Sequence, residues 1–401
     1  SKALDCSWFV GLPDEQAEDW QCVMASVVVS GVDFGWGSAG KLAAVLGACR
    51  TRLPRQRFVA FGTELGRPVL AGVSIDAYEP WPRGAGALDA LLRKHDVTAG
   101  LVVMDPGAAS ALEAAGCPTV FVDSLPYLWT EADPLPYDAS VYCAQLCPEL
   151  PLPCWQPLRR ITHLHWVEAV IASGARGHTR DQRLAVVNFG GICSPTLPYG
   201  NPRYLELVLV PTLQALQDTG FETVYVCGNI QETELVAEAG ALPLEVRAGP
   251  LAHADFIALM GRAALLMTSP GLTTLLEAGQ EGTPTVCLPP QNLSQIFNGD
   301  RFAAALDPGC RIEWPPEILD RTAVERARQA GEVAGIAVIE SAMRHLRAEP
   351  VHPWLAGRLR DAIRRVPHIT GWDRMSTATG RHGAKQVSEL LAELLAARTA
   401  T

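Results

Sequence analysis

The sequence predicts an α/β protein of two lobes, each built on a parallel sheet, facing one another across a cleft, with helices closing the C-terminus. Three observations lead there. Short β-branched runs alternate with segments of helical period, the pattern of strands buried on both faces beneath covering helices. That alternation breaks at the glycine, arginine and polar stretch Ser173 to Gln182 and then starts afresh. The 401 residues, 48% of them hydrophobic, suit two domains at roughly 100–200 residues each. The division expected is an N-terminal arm over 1–25, a first domain over 26–177 and a second over 178–350. Helices over 351–401 have the option of packing back across the cleft.

Taken in order, residues 1–25 show charge and no clear period. Val27 to Val29 reads as the opening strand, followed by the glycine-rich loop Phe34 to Gly40 and a helix from Lys41 to Arg50. Strands recur at Phe58 to Phe61, Gly100 to Met104 and Thr119 to Val122, with a helix over Ala108 to Ala115. Pro134 to Pro157, with its prolines, reads as extended and irregular, and 159–173 as helical. The second series has strands at Leu184 to Val187, Thr223 to Cys227, Ala264 to Met267 and Thr285 to Leu288. Its helices fall at 202–218, 231–239 and 272–280. From Thr322 the chain reads as mostly helical, ending in an amphipathic stretch from Gln386 to Ala397.

A net charge of −10 supplies no global positive field to gather phosphate backbones, which argues against sequence-independent nucleic-acid binding. No apolar run approaches the ~20 residues of a membrane span. Eleven cysteines, without a Cys-x-x-Cys pair or a leading signal segment, read as reduced thiols in a cytoplasmic protein. Cys143, Cys147 and Cys154, followed by His163 and His165, are of metal-binding type, but their spacing fits no common zinc template. No metal site is expected.

Two loops carry the chemistry. Gly35-x-x-x-x-Gly40-Lys41 is nearly a phosphate-binding P-loop, but Leu42 stands where a Ser or Thr would hold magnesium. What remains is a loop of small residues opening a helix, Gly35, Trp36, Gly37 and Ser38, with Trp36 offering a stacking surface; a ligand-free strand-to-helix turn is the plainer reading. The second is Ser269-x-Gly271-x-x-Thr274-x-x-Glu277-x-x-x-x-Gly282-x-Pro284, followed by Pro289, Gln291, Asn292 and Gln295. Here a buried strand meets a helix through Gly271, leaving the first helical amides unpaired and suited to a diphosphate. Glu277 lies one turn on, within reach of ribose hydroxyls.

This second pattern resembles the nucleotide-sugar glycosyltransferases of the GT-B fold, particularly the UDP-glycosyltransferases and the lipid-linked N-acetylglucosaminyltransferase of peptidoglycan synthesis. The likeness is specific over about forty residues and is supported by the turn Asn188-Phe189-Gly190-Gly191. It implies two Rossmann-like lobes and a UDP-sugar co-substrate, without a separate cofactor. Carried over by position, it places the diphosphate on Gly271, Leu272, Thr273 and Thr274, the ribose on Glu277 and the sugar on Gln291, Asn292 and Gln295. Gly190 and Gly191 form the cleft floor, and the base packs near Arg247 and Gly249. Many inverting members have a histidine base in the first-lobe loop; residues 31–41 contain none. Asp33 is the carboxylate there, read as base or as turn cap, with His95, His163 and His165 as alternatives. More narrowly, Phe34 to Leu42 resembles the opening of cytosylglucuronate synthase and relatives in nucleoside-antibiotic pathways, which implies Trp36 stacking on cytosine and glucuronate as the sugar.

The expected function is therefore metal-independent transfer of a glycosyl group from a UDP-sugar to a small hydrophilic acceptor. The competing readings are a sugar-nucleotide epimerase or hydrolase on the same architecture, and an NTPase or nucleotide-binding regulator using residues 35–41. A homodimer is left open.

Overall fold

The computed structural model describes residues 25–147, 155–172, 174, 177–190, 192, 202–228 and 243–399. Residues 1–24 of the N-terminal arm, the helix expected at 231–239, Cys154 and Gly191 lie outside them.

The first sheet contains β1 (Ser26–Gly31), β2 (Arg57–Phe61), β3 (Ala77–Glu79), β4 (Val97–Val103), β5 (Thr119–Asp123), β6 (Val141–Gln145) and β7 (Leu164–Val167). All pair in parallel, in the order β3-β2-β1-β4-β5-β6-β7. Around it lie α1 (Gly37–Arg52), α2 (Ala85–Lys94), α3 (Pro106–Ala114) and the single turn α4 (Trp155–Leu158). Side chains alternate across the sheet, so Val27 and Val29 of β1 pack with Leu42 and Leu46 of α1, whereas Val28 faces Leu92 and Leu112 of α2 and α3. Every residue of β1 is buried, which is why this strand reads as a continuous apolar run rather than an alternation.

The second sheet, also parallel, contains β8 (Asp181–Asn188), β9 (Thr223–Cys227), β10 (Glu245–Gly249), β11 (Ala263–Thr268) and β12 (Thr285–Cys287), in the order β10-β9-β8-β11-β12. Its helices are α5 (Pro202–Asp218), α6 (His253–Arg262), α7 (Leu272–Glu281) and α8 (Leu293–Ala305), followed by α9 (Arg321–Arg328), α10 (Glu332–Arg344), α11 (Ala348–Arg365), α12 (Arg374–Thr379) and α13 (Gly383–Thr399). α11 packs along α5 of the second lobe. The chain then crosses back, and α13 buries Val387 and Leu391 in the core of the first lobe, against α1.

The sequence reading needs correction in two places. The proline-rich 134–157 contains β6, buried throughout between β5 and β7; the prolines bracket the strand instead of interrupting it. Of the helix expected at 159–173, the described residues 159–172 form none: Leu164–Val167 is the edge strand β7, only partly buried, and its short alternation is too weak to separate from a helical period. β3 and α2 were not foreseen. Among the described residues no helix is long and apolar enough to cross a membrane.

In both sheets the chain reverses its winding at the first strand. β1 lies between β2 and β4, and β8 between β9 and β11. Loops leaving such a pair of strands part to opposite faces and open a crevice at the carboxyl ends. The two crevices face one another.

Candidate active site

A cavity of about 220 Å³ fills the space between them, lined from the first lobe by residues 34–38, Met104, Ser124, Leu125 and Trp129. From the second lobe come Asn188, Gly190, Ser269, residues 271–274, Glu277 and Gln295. The first strand of each sheet thus enters the cavity through a glycine, Gly35 at φ 65° and Gly190 at φ 64°, a backbone conformation that residues with a Cβ avoid.

The diphosphate candidates come together. α7 starts at Leu272 with Gly271 as its N-cap and no side chain capping it. Leu275 donates the first helical hydrogen bond, to the Gly271 carbonyl at 3.0 Å, so the Leu272, Thr273 and Thr274 amides precede the ladder and carry the positive end of the helix dipole into the cavity. Asn188 braces this turn from β8: its Nδ2 donates to Thr274 Oγ1 at 3.2 Å and its Oδ1 accepts from the Gly190 amide at 2.9 Å. Thr273 Oγ1 donates to the Gly37 carbonyl at 3.3 Å, joining the starts of α7 and α1, which is also uncapped by a side chain.

Glu277 faces the cavity but is not the solvated residue a helix surface would give. It is 2% exposed, and its Oε1 lies 2.8 Å from His253 Nε2. His253, on the first residue of α6, is 8% exposed and lines the same cavity. Burial works to lower its pKa, but the charge and hydrogen bond of Glu277 raise it above the ordinary histidine value, against a lesser opposing effect of Lys41. The sequence reading missed His253; its signal was a histidine just past the loop assigned to the base. Asn298 was missed as well: its Nδ2 donates to the Pro270 carbonyl at 3.0 Å and its Oδ1 accepts from Tyr127 of the first lobe, fixing the turn before α7.

Several sequence candidates sit elsewhere. Arg247 is on the exposed sheet edge, bound to Glu245 at 2.6 Å, and neither it nor the buried Gly249 lines the cavity. The alternating side chains of β10 send Arg247 outward, and beyond the strand Leu251 and Phe256 line the cavity. Asp33 is also outside the lining; its Oδ1 accepts the Leu65 amide at 3.2 Å, and desolvation is the main cause of its raised pKa. Of the sugar candidates, Gln291 is buried with Nε2 donating to the Phe189 carbonyl at 2.9 Å, while Asn292 caps α8 and lines the cavity. Gln295 lines the cavity while its Oε1 accepts the Gln291 amide at 2.9 Å. Ser38 lines it too, with its hydroxyl donated to the Val32 carbonyl at 2.6 Å. His163 and His165 are exposed near the far sheet edge, and His95 pairs with Glu79 at 2.8 Å.

Lys41 overturns the P-loop reading. Its Nζ does not face a phosphate site; it is buried, donating to Gln145 Oε1 at 2.8 Å and to the Val170 carbonyl at 3.2 Å. Among the described residues, no group of three or more His, Cys, Asp or Glu side chains is placed to hold a metal ion.

Solved structures share this architecture. A Staphylococcus aureus MnaA structure with UDP matches at a TM-score of 0.52 and 11% identity, over 92% of this chain and 95% of that one. Arabidopsis thaliana UGT89C1 matches at 0.52 and 12%, over 92% and 99%, and a structure described as the glycotransferase of kitacinnamycin at 0.50 and 14%, over 92% and 99%. The fold is GT-B. No family model matches the chain, and a search of curated proteins returns no match. GT-B architecture accounts for the paired crevices and for the C-terminal helices divided between the lobes.

Proposed function

We propose that this chain is a glycosyltransferase that moves a sugar from a UDP-sugar to a small acceptor held by the first lobe. The observation that carries the reading is the uncapped start of α7 opening on one cavity with the glycine turns of both lobes. The diphosphate docks on the Leu272, Thr273 and Thr274 amides, which meet the charge that grows as the bond to the sugar breaks. His253, kept cationic to higher pH by Glu277, adds a second positive group at that end. The other Glu277 oxygen accepts from ribose hydroxyls. UDP is named in the MnaA structure and glycosyl transfer in the kitacinnamycin one, which supports the same chemistry here. UDP-sugar is then a co-substrate and no resident cofactor takes part.

The finer assignment, glucuronate to cytosine in nucleoside natural-product biosynthesis, rests on the likeness of Phe34 to Leu42, and a reducing cytoplasm agrees with the free thiols of Cys49, Cys117, Cys143, Cys227, Cys287 and Cys310. Thermal shift with UDP, ATP and GTP, each with and without magnesium, tests the donor class. A ligand at ~100 times its Kd adds roughly 2.7 kcal/mol, and UDP is expected to stabilise without metal. Stabilisation by Mg-ATP alone defeats the proposal. Consumption of a UDP-sugar at full rate with no acceptor present assigns the epimerase or hydrolase reading instead.

A further inference from the structure

Apart from the Cys227 thiol, three ionisable side chains among the described residues line the cavity: His253, Glu277 and Glu332. The first two are spent on each other. Glu332 has no such partner; its carboxyl makes no hydrogen bond or ion pair with the described residues, while its backbone amide donates to Asp133 Oδ1 at 2.8 Å. That bond ties the start of α10 to the first lobe, where Asp133 is itself held by the Thr130 amide and hydroxyl at 2.8 and 2.9 Å. Glu332 is therefore a carboxyl from the C-terminal helices placed on the first-lobe wall of the cavity.

The rest of that wall is mostly apolar; its polar side chains are Ser38, whose hydroxyl is donated to the Val32 carbonyl at 2.6 Å, and Ser124. Trp36 and Trp129 both line it, and both have their indole N–H tied down, to the Leu65 carbonyl at 3.1 Å and to Asp123 Oδ2 at 2.8 Å. Each ring then offers carbon surface to the space between them, with Phe34, Leu125 and Met104. Met104 holds this place at φ 61°, a conformation unusual for a residue with a side chain and common at ligand sites.

We infer that Glu332 is the base that takes the acceptor's proton, and that the acceptor is a flat, apolar-bodied molecule with an ionisable N–H or O–H. This rests on the transferase reading and changes one expectation, since the sequence suggested a hydrophilic acceptor. A Glu332 oxygen takes the proton from the acceptor atom, and the freed pair forms the bond to the anomeric carbon. The bond from that carbon to the diphosphate oxygen breaks with its pair, and UDP leaves. Burial, then the neighbouring Asp133 and Asp123, push the Glu332 pKa up to about 7, where a base best combines availability with strength. The cations nearby are otherwise engaged: Arg301 stacks over the Tyr127 ring and Arg328 donates to the Tyr127 and Leu128 carbonyls.

The test is a screen of UDP-sugars against planar heteroaromatic and phenolic acceptors and against polyols, followed by pH profiles of wild type, Glu332→Gln and Glu332→Asp. Transfer to planar acceptors is expected, with a limb rising through pH ~7. Glu332→Gln should lose about 10²–10⁴ in kcat and lose the limb, with UDP affinity within twofold and an undiminished Tm; Glu332→Asp should keep a limb. Transfer only to polyols, or to no planar acceptor from any UDP-sugar the protein binds, overturns the inference, as does Glu332→Gln retaining its rate within threefold or its limb. These outcomes leave UDP binding intact. A wild-type protein that binds no UDP defeats the transferase reading itself.

Discussion

His253 Nε2 lies 2.8 Å from Glu277 Oε1 with both side chains buried at the start of the cleft, so the residue expected to hold ribose also sets the charge of its neighbour. Removing one member of a buried pair leaves the other unsatisfied, at a cost of ~3–5 kcal/mol. Glu277→Ala is therefore expected to lower the Tm of the ligand-free protein as well as weaken UDP binding, measured by thermal unfolding and titration calorimetry. The pH dependence follows from the raised His253 pKa. The folded state binds the proton more tightly than the unfolded chain, so the pair's contribution is complete below the free histidine value of ~6.5 and is lost as pH rises through the raised one. The wild-type advantage over Glu277→Ala should shrink across that window.

Asn188 joins the two halves of the proposed diphosphate site through Thr274 and the Gly190 amide. Asn188→Ala removes both bonds and frees the first turn of α7 and the glycine turn to move apart. At ~0.5–1.5 kcal/mol for each hydrogen bond, UDP affinity should fall about tenfold, with little change in affinity for uridine, which lacks the diphosphate. Equal losses for UDP and uridine would show that Asn188 acts on the nucleoside end.

The fold was legible because each lobe repeats one local grammar, apolar strand then periodic helix, and the α7 motif was legible because its residues are consecutive. What escaped notice depends on distance along the chain. His253 meets Glu277 across 24 residues, and Glu332 reaches the cavity from a helix whose sequence shows only ordinary amphipathicity. Arg247 falls outside the cavity lining because a motif gives the strand but not which way an edge side chain points. Asp33, read as base or turn cap, lies outside the cavity lining, with one oxygen accepting the Leu65 amide. Residues 159–173 failed for a different reason: a four-residue edge strand has too few alternations to outweigh a helical pattern.

Lys41 offers a direct contrast with the P-loop reading. Burial lowers its pKa to about 8, so between that value and the ordinary lysine value the unfolded chain binds more protons than the folded one. Stability from this group therefore rises with pH over that interval and is least favourable below about 8. Lys41→Met should flatten the rise in denaturant unfolding at alkaline pH and leave UDP affinity within twofold, since Nζ contacts Gln145 and Val170 and not the cavity. A UDP affinity that collapses in this variant would return the lysine to the phosphate site.

The return of the chain to the first lobe depends on Glu168. Its Oε2 accepts the Arg381 and His382 amides at 2.6 and 2.8 Å, and its own amide donates to Gln386 Oε1 at 2.7 Å. The crossing is tight at its end: a Cβ on Gly383 would stand 2.0 Å from the Glu168 carbonyl oxygen, well inside contact distance and against backbone that cannot swing aside. Gly383→Val must then push α13 off β7 and α1, exposing Val387 and Leu391, which are fully buried. Each such side chain contributes ~1.5–3 kcal/mol when fully buried, so the variant should unfold at markedly lower temperature. Amide exchange should rise in α13 and along the face of α1 it covers. The α7 turn, held by Asn188 and Asn298 from within the second lobe, should keep its protection. Faster exchange at α7 to the same degree would mean that the C-terminal helix supports the second lobe as well as the first.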